Sequence, residues 1–157
     1  MELIIRSTAA ADADAAGRLY LRARRAAADI GSIPPPAHAD DEVSDWISQV
    51  VIPRLECWLA QTPGGEVVGL LVLEGDWIDQ LYVDPDLTGR GIGARLLDVA
   101  KRERPQGLRL WTFVSNEDAQ RFYERHGLRE AERTDGTRNE ERAPDIRYVW
   151  NGSLPPG

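Results

Sequence analysis

The stretch Leu81–Leu97, LYVDPDLTGRGIGARLL, joins an apolar strand-like segment to a helix-forming run through three glycines at alternate positions. Glycine costs conformational entropy, so Gly89, Gly91 and Gly93 indicate backbone that must come close to another group. A helix N-terminus presents free N–H groups and the positive end of the helix dipole. The stretch therefore predicts a site for a diphosphate at the start of a helix that begins near Ile92.

Two common phosphate-binding motifs do not fit this loop. A dinucleotide site has the spacing G-x-G-x-x-G, whereas this loop reads G-x-G-x-G, and the strand after it ends in VSN instead of an acidic ribose ligand. A P-loop needs Lys-Ser or Lys-Thr after its last glycine, and neither pair follows here. Coenzyme A, whose pyrophosphate is also anionic, is the third candidate.

The composition limits the class of protein. The chain has 157 residues and a net charge of −7, so its surface would repel a phosphate backbone and no nucleic-acid partner is expected. No apolar run approaches the roughly 20 residues of a membrane span, and the segment MELIIRSTAAAD lacks a signal-peptide core. The chain has one cysteine and two histidines that lie far apart in sequence. These features predict a cytoplasmic protein with no membrane partner, no disulfide and no metal.

Hydrophobic periodicity predicts one mixed α/β (α+β) domain over residues 1–152 and a frayed tail at 153–157. The strand Trp77–Val83 has apolar residues on both faces and is predicted to be central in the sheet. A helix is predicted for Asp41–Val50 and is expected to end at Pro53. The other elements predicted after the first helix are strands at 56–61, 67–73, 108–114, 128–134 and 146–150 and helices at 92–104 and 116–126, and a first strand is predicted at 3–6.

Two motifs resemble those of the GNAT N-acetyltransferases. The first is LYVDP followed by GRGIG and LL, within Leu81–Leu97, and it resembles that family's acetyl-CoA-binding motif. The second is Asn116–Leu128, NEDAQRFYERHGL, whose spaced Asn, Ala, Phe-Tyr-Glu and Gly match the family's second signature. The resemblance extends from Leu3 to Trp150. It implies the GNAT fold, a central mixed, mostly antiparallel sheet of about six to seven strands flanked by about four helices.

The resemblance also implies where acetyl-CoA, as co-substrate, would bind. Backbone groups of the strand at Leu81 and Val83 would pair with the pantetheine amides where the neighbouring strand splays away. Thr88 stands where the family usually has Gln or Arg. Arg90 either reaches a phosphate oxygen or lies in solvent. The predicted cofactor-binding residues are Leu81, Tyr82, Val83, Thr88, Gly89, Arg90, Gly91, Ile92, Gly93, Ala94, Asn116, Ala119 and Tyr123.

Acetyl transfer from a thioester to an amine gains from a general acid that protonates the departing thiolate. Asn116, Ala119, Gln120 and Tyr123 share one face of the predicted helix. The resemblance makes Tyr123 the general acid and Asn116 a residue that contacts the cofactor. The alternative for Tyr123 is a core tyrosine whose hydroxyl reaches water.

Strict alternation along the central strand places Trp77, Asp79, Leu81 and Val83 on one face. The resemblance puts the base that accepts the amine proton two or four residues before Leu81. Trp77 has no proton-accepting group, so Asp79 is the candidate for this role, with a pKa expected to be raised by its apolar surroundings. A structural carboxylate paired with an arginine is the open alternative.

Two acidic segments are candidates for the walls of an acceptor site. They are residues 30–46, IGSIPPPAHADDEVSDW, and residues 139–145, NEERAPD. If they meet, they would attract a cationic amine, although runs of charge are more often solvated faces. The predicted acceptor is a primary amine of a small molecule or peptide. A homodimer through exposed strands stays open, and a non-catalytic acyl-CoA sensor on the same fold is the alternative function.

Overall fold

Seven strands form one sheet in the order β1-β2-β3-β4-β5-β7-β6 in a computed structural model that describes residues 2–153. Neighbouring strands are antiparallel, except that β4 and β5 are parallel. The predicted mixed, mostly antiparallel sheet is therefore confirmed, with β4 at its centre. The strands are β1 (Ile4–Ser7), β2 (Glu56–Gln61), β3 (Val67–Glu74), β4 (Trp77–Val83), β5 (Leu108–Phe113), β6 (Arg129–Thr134) and β7 (Asp145–Trp150).

Four helices cover the two faces of the sheet. On one face, α1 (Ala13–Asp29) and the helical segment α2 (residues 40–54) pack against β2 and β3. On the other face, α3 (Ile92–Glu103) and α4 (Glu117–Arg125) pack against the remaining apolar side chains of the sheet. No helix within residues 2–153 is long and apolar enough to cross a membrane.

The helix α2 is longer than the sequence predicts. It runs through Asp40–Trp46, a π-helical turn at Ile47–Val51 and a last turn at Ile52–Arg54. The prediction that Pro53 ends this helix is wrong. A π-turn is wider than an α-turn, and the turn before Pro53 leaves room for a ring that has no amide hydrogen to donate. The other strands and helices compared lie within one residue of their predicted bounds.

Helix α3 lies close against the sheet because β3 carries a glycine beneath it. A Cβ atom at Gly69 would come within 2.7 Å of Leu96 and 3.1 Å of Ile92. Both of these side chains are buried, and burial of a side chain of this size contributes about 1.5–3 kcal/mol. Gly69 lies opposite Val83 in the register of β3 and β4. This packing fixes the first turn of α3 beside the end of β4.

The strands β4 and β5 part soon after they meet. Their register contains one pair, Trp77 opposite Arg109, and the Arg109 amide donates to the Asp76 carbonyl at 3.0 Å. Beyond this pair the strands diverge, and the gap opens toward the first turns of α3 and α4.

Near the C-terminal end of the described residues, the Ser153 amide donates to the Pro105 carbonyl at 3.0 Å. Residues 154–157 of the tail predicted to be frayed lie outside the described residues.

Candidate active site

A groove runs from the gap between β4 and β5 to the start of α3. It is lined by twelve of the thirteen residues predicted to bind the cofactor, and Arg90 is the exception. Arg90 is exposed beside the groove. The residues that line both halves of the groove include Leu81, Val83, Thr88, Gly89, Ala119, Phe122 and Tyr123. The fold thus brings together residues from the strand, the glycine loop and the second motif.

The first turn of α3 presents free backbone amides. The first bond of the helix runs from the Arg95 amide to the Gly91 carbonyl at 3.0 Å. The amides of Ile92, Gly93 and Ala94 donate to no other group within residues 2–153. Gly91 has φ 83°, a left-handed conformation that favours glycine, and a Cβ atom there would have no heavy atom within 4 Å. The amides therefore face open space, as an anion site at a helix N-terminus requires.

The end of β4 leaves backbone groups free toward the gap. The Asp84 amide donates to the Val68 carbonyl of β3 at 2.9 Å. Since hydrogen-bonding directions alternate along a strand, the N–H and C=O groups of Leu81 and Val83 point away from β3 and toward the gap. The structure thus supplies the unpaired strand edge that binding of an amide chain requires.

Tyr123 brings a phenol to the middle of the groove. Its side chain is buried, and its hydroxyl makes no hydrogen bond to any residue in the described part of the chain. Burial raises the pKa of this phenol, so the hydroxyl stays protonated at neutral pH. The Tyr123 ring packs edge-on against the Phe122 ring, with the ring centroids 5.2 Å apart. The arrangement can deliver one proton to an atom in the groove.

The helix α4 is held at its start by two carboxamides. The Asn116 side-chain oxygen accepts a hydrogen bond from the Ala119 amide at 3.2 Å and caps the helix, so its NH₂ group is available for a ligand. The Gln120 carboxamide donates to the carbonyls of Phe113 and Val114 at 3.2 Å and 2.7 Å. These bonds tie α4 to the end of β5 and orient Tyr123 one turn further along.

The predicted alternation of β4 is wrong around Asp79. Val72 pairs with Gln80 and Leu73 with Ile78, so Asp79 is an extra residue in a β-bulge. The bulge shifts the alternation: Ile78, Leu81 and Val83 share the α3 face, whereas Trp77 lies on the opposite face, where it stacks on Trp111. A bulge re-aims side chains, and its position was not visible in the pattern of apolar residues.

Asp79 lies in the lining of the groove, beside the aromatic side chains of the α1 face. Its negative charge contributes to the raised pKa values of Tyr20 and Tyr82. The carboxyl is open to solvent on one side, while the surrounding protein desolvates the rest and raises its pKa above the ordinary value. A hydrogen bond from Gln80 at 3.4 Å acts in the opposite direction. Its side-chain hydrogen-bond donor within residues 2–153 is Gln80, and no arginine there lies within salt-bridge distance of this carboxylate.

Tyr20 and Arg24 of α1, to which the sequence assigned no role, join Tyr82 and Trp46 in a group on the α1 face. The Tyr20 ring lies 5.1 Å from the Tyr82 ring and 5.8 Å from Trp46. The Arg24 guanidinium donates to the Tyr82 hydroxyl at 2.9 Å. The side chain of Tyr82 therefore faces α1 and not the cofactor side. A tyrosine with an arginine four residues later was the available signal, because such residues are neighbours on a helix.

The two acidic segments meet in a cavity of about 490 Å³ between α1, α2 and the loop before β7. This cavity shares the lining residues Arg24 and Gln80 with the groove, so the two lie next to each other. His38, to which the sequence assigned no role, bridges Glu42 and Glu140, and these carboxylates raise the pKa of its imidazole. The two acidic segments therefore lie next to each other at this cavity.

Arginine side chains of α1 partly neutralise the negative charge of these two acidic segments. Asp40 pairs with Arg25, and the Arg24 guanidinium lies 3.9 Å from Glu141. The cavity therefore has aromatic side chains at its base and paired carboxylates at its rim. No cluster of three or more His, Cys, Asp or Glu side chains within residues 2–153 is placed to hold a metal ion.

Known proteins share both the sequence pattern and the fold. The sequence profile of the acetyltransferase (GNAT) domain matches residues 53–130, which are 78 of the 157 residues. Peptidyl-lysine N-acetyltransferase YjaB of Salmonella typhimurium is 34% identical over 93 residues, which cover 59% of this chain and 60% of YjaB. The match thus spans less than two thirds of that relative's length.

Two solved structures extend the likeness of fold over nearly the whole chain. The apo solution structure of YjaB from Escherichia coli has a TM-score of 0.77 at 24% identity and covers 98% of this chain and all of that one, 100%. The PaiA N-acetyltransferase of Thermoplasma acidophilum in complex with coenzyme A has a TM-score of 0.70 at 18% identity, covering 96% and 99%. Profile, curated relatives and fold agree with the two motifs, and residues 53–130 form an acetyltransferase domain of the GNAT family.

Proposed function

We propose that this protein is an acetyl-CoA-dependent N-acetyltransferase that acetylates a primary amine directly, without a covalent enzyme intermediate. The observation that carries the proposal is one groove that contains free amides at the start of α3, an unpaired edge of β4 and the Tyr123 hydroxyl. A diphosphate, an amide chain and a thioester sulfur need these three groups in this order.

The residues present fit acetyl-CoA. The amides of Ile92, Gly93 and Ala94 would hold the diphosphate, and the backbone of Leu81 and Val83 would pair with the pantetheine amides. When bound, the co-substrate supplies an activated acetyl group. A thiol has an ordinary pKa of about 8.5, so protonation by Tyr123 would assist its departure.

Asp79 is the proposed base, acting directly or through a water molecule. A base must be ionised to accept a proton, so activity should fall as pH falls through the pKa of Asp79. Because that pKa is raised, the loss should begin at a higher pH than for an ordinary aspartate, whose pKa is about 3.9. Asp79 lines the groove, and its neighbour Gln80 also lines the cavity of the α1 face, through which the amine would approach.

The acceptor is proposed to enter through the cavity between α1 and α2. An aromatic base of Tyr20 and Trp46 suits the apolar stem of an alkyl amine, and the carboxylates of the rim suit its charge. The relative YjaB is named a peptidyl-lysine N-acetyltransferase. The side chain of lysine in a peptide is accordingly the first acceptor to test, ahead of small polyamines.

The test is release of CoA thiol from acetyl-CoA in the presence of a panel of amines: a lysine peptide, polyamines, amino acids, aminoglycosides and peptide N-termini. We expect turnover with at least one amine and a fall in kcat/KM on the acidic side of the pH profile. Asp79→Asn should lower kcat/KM about 100-fold and remove that fall, because a general base contributes 10²–10⁴-fold.

The matched control is Asp76→Asn, which removes a carboxylate three residues away that faces Arg109 outside the groove. It should retain the activity and pH profile of the wild-type protein. Binding of CoA without turnover on any amine would support the acyl-CoA sensor instead. An Asp79→Asn protein with wild-type kcat/KM would exclude this residue as the base.

A further inference from the structure

Asp84 organises the chain between β4 and the glycine loop. Its side chain is 12% exposed, and its amide donates to the Val68 carbonyl of β3 at 2.9 Å. One carboxylate oxygen accepts the Asp86 amide at 2.9 Å and so caps the short 3₁₀ turn Pro85–Leu87. That turn leads directly into the loop. The direction in which the chain enters the loop therefore depends on how this carboxylate is held.

Arg22 of α1 holds the same carboxylate from across the fold. Its guanidinium donates to the two oxygens of Asp84 at 3.0 Å and 3.2 Å, the bidentate arrangement in which arginine fixes a carboxylate in position as well as in charge. The Arg22 side chain is 50% exposed, so it adds little to the core. The same guanidinium also makes a weaker contact with Asp86, whose carboxylate oxygen lies 3.5 Å from an Arg22 nitrogen.

The glycine loop has few constraints of its own. Gly89 and Gly91 have φ 78° and 83°, and a Cβ atom at either would find no heavy atom within 4 Å. From Thr88 to Gly91 the backbone makes no hydrogen bond within residues 2–153 to any segment other than α3 and the preceding turn. The position of the loop is therefore set by its two ends: the buried first turn of α3 and the carboxylate of Asp84.

We infer that Arg22 is a positioning residue for the cofactor: its clamp on Asp84 holds the glycine loop so that the amides at the start of α3 meet the diphosphate of acyl-CoA. The inference rests on the proposed function. Arg22 touches neither the reacting atoms nor the diphosphate. Its loss should weaken the binding of CoA and leave the chemical step and the binding of the amine as they are.

The test is the Kd for CoA, measured by isothermal titration calorimetry, together with steady-state kinetics. Arg22→Gln should raise the Kd for CoA and the KM for acetyl-CoA about tenfold, since small displacements of binding groups have effects of 10–100-fold. The kcat at saturating acetyl-CoA and the KM for the amine should stay within about twofold. Arg22→Lys keeps the positive charge but cannot make the bidentate contact, so its Kd for CoA should lie between those of the wild-type protein and Arg22→Gln.

The matched control is Arg109→Gln. Arg109 is also a half-exposed arginine, and it pairs with Asp76 at 3.0 Å where β4 begins, away from the loop. This variant should bind CoA as the wild-type protein does. In an Asp84→Asn background, Arg22→Gln should have no further effect, because the two residues act as one unit.

The outcomes separate the clamp from the proposed function. If the wild-type protein binds no CoA, the proposed function fails. If the wild-type protein binds CoA and Arg22→Gln binds it as tightly as Arg109→Gln does, the clamp is refuted while the function stands. A fall in kcat that accompanies the rise in KM would also refute the clamp as a positioning device. Should Asp84→Asn fail to fold, the comparison of Arg22→Gln, Arg22→Lys and Arg109→Gln decides alone.

Discussion

Gly91→Val should raise the Kd for CoA at least 100-fold, whereas Gly65→Val should leave it unchanged. Both glycines have a left-handed φ, 83° and 90°, and a Cβ atom at either position would find no heavy atom within 4 Å. The two substitutions therefore impose a similar backbone strain, on the order of 1–3 kcal/mol. Only at residue 91 do the added methyl groups stand in front of the free amides of α3.

Isothermal titration calorimetry of both variants and the wild-type protein makes this comparison. Circular dichroism and thermal unfolding should show that the two variants lose a similar amount of stability and remain folded. Gly91→Ala, with one methyl group and less strain, should fall between Gly91→Val and the wild-type protein. Equal affinity of the Gly91 and Gly65 variants for CoA would show that the diphosphate does not use these amides.

Tyr123→Phe should lower kcat by about 10²–10³-fold and change the Kd for CoA by less than twofold. The hydroxyl that is removed has no hydrogen-bond partner among residues 2–153, and the ring keeps its contact with Phe122. The fold should therefore tolerate the change. Burial holds the pKa of the phenol above its ordinary value, so kcat of the wild-type protein should show no loss from tyrosine ionisation up to about pH 9.

Tyr148→Phe is the matched control for this prediction. Tyr148 is also a buried tyrosine near Tyr123, with ring centroids 6.1 Å apart, but its hydroxyl donates to Glu124 at 3.2 Å and does not line the groove. Its loss should cost some stability, about 1 kcal/mol for one hydrogen bond, and should leave kcat unchanged. If Tyr123→Phe retains the kcat of the Tyr148→Phe protein, the phenol is not the general acid.

Local pattern predicted most of the fold because each element has a clear start, stop and period. The glycine loop, the strand β4 and the helix α4 are each encoded within a few neighbouring residues. The π-turn before Pro53 and the bulge at Asp79 were not predicted. Each of these adds a residue to a regular helix or strand and so changes which face the following side chains lie on. The pattern of apolar residues on either side does not indicate this change.

The parts of the site that the sequence did not predict are joined by long-range contacts. Arg22 and Asp84 are 62 residues apart, and Arg24 and Tyr82 are 58 residues apart. In each pair, a surface-type residue of α1 finds a partner at the end of β4 only after the helix has packed on the sheet. Spacing along α1 shows that Tyr20 and Arg24 are neighbours on the helix, but it does not indicate which residue of the sheet either one contacts. The groove was predictable because its motifs are local, whereas the contacts between α1 and the end of β4 were not.

A crystal structure of the protein grown with CoA tests the central claim most directly. We expect the two phosphorus atoms of the diphosphate to lie beside the first turn of α3, with phosphate oxygens about 2.7–3.2 Å from the amide nitrogens of Ile92, Gly93 and Ala94. The pantetheine chain should follow the open edge of β4 toward Tyr123. A diphosphate bound at any other place on the protein, with these amides left in solvent, would contradict the account.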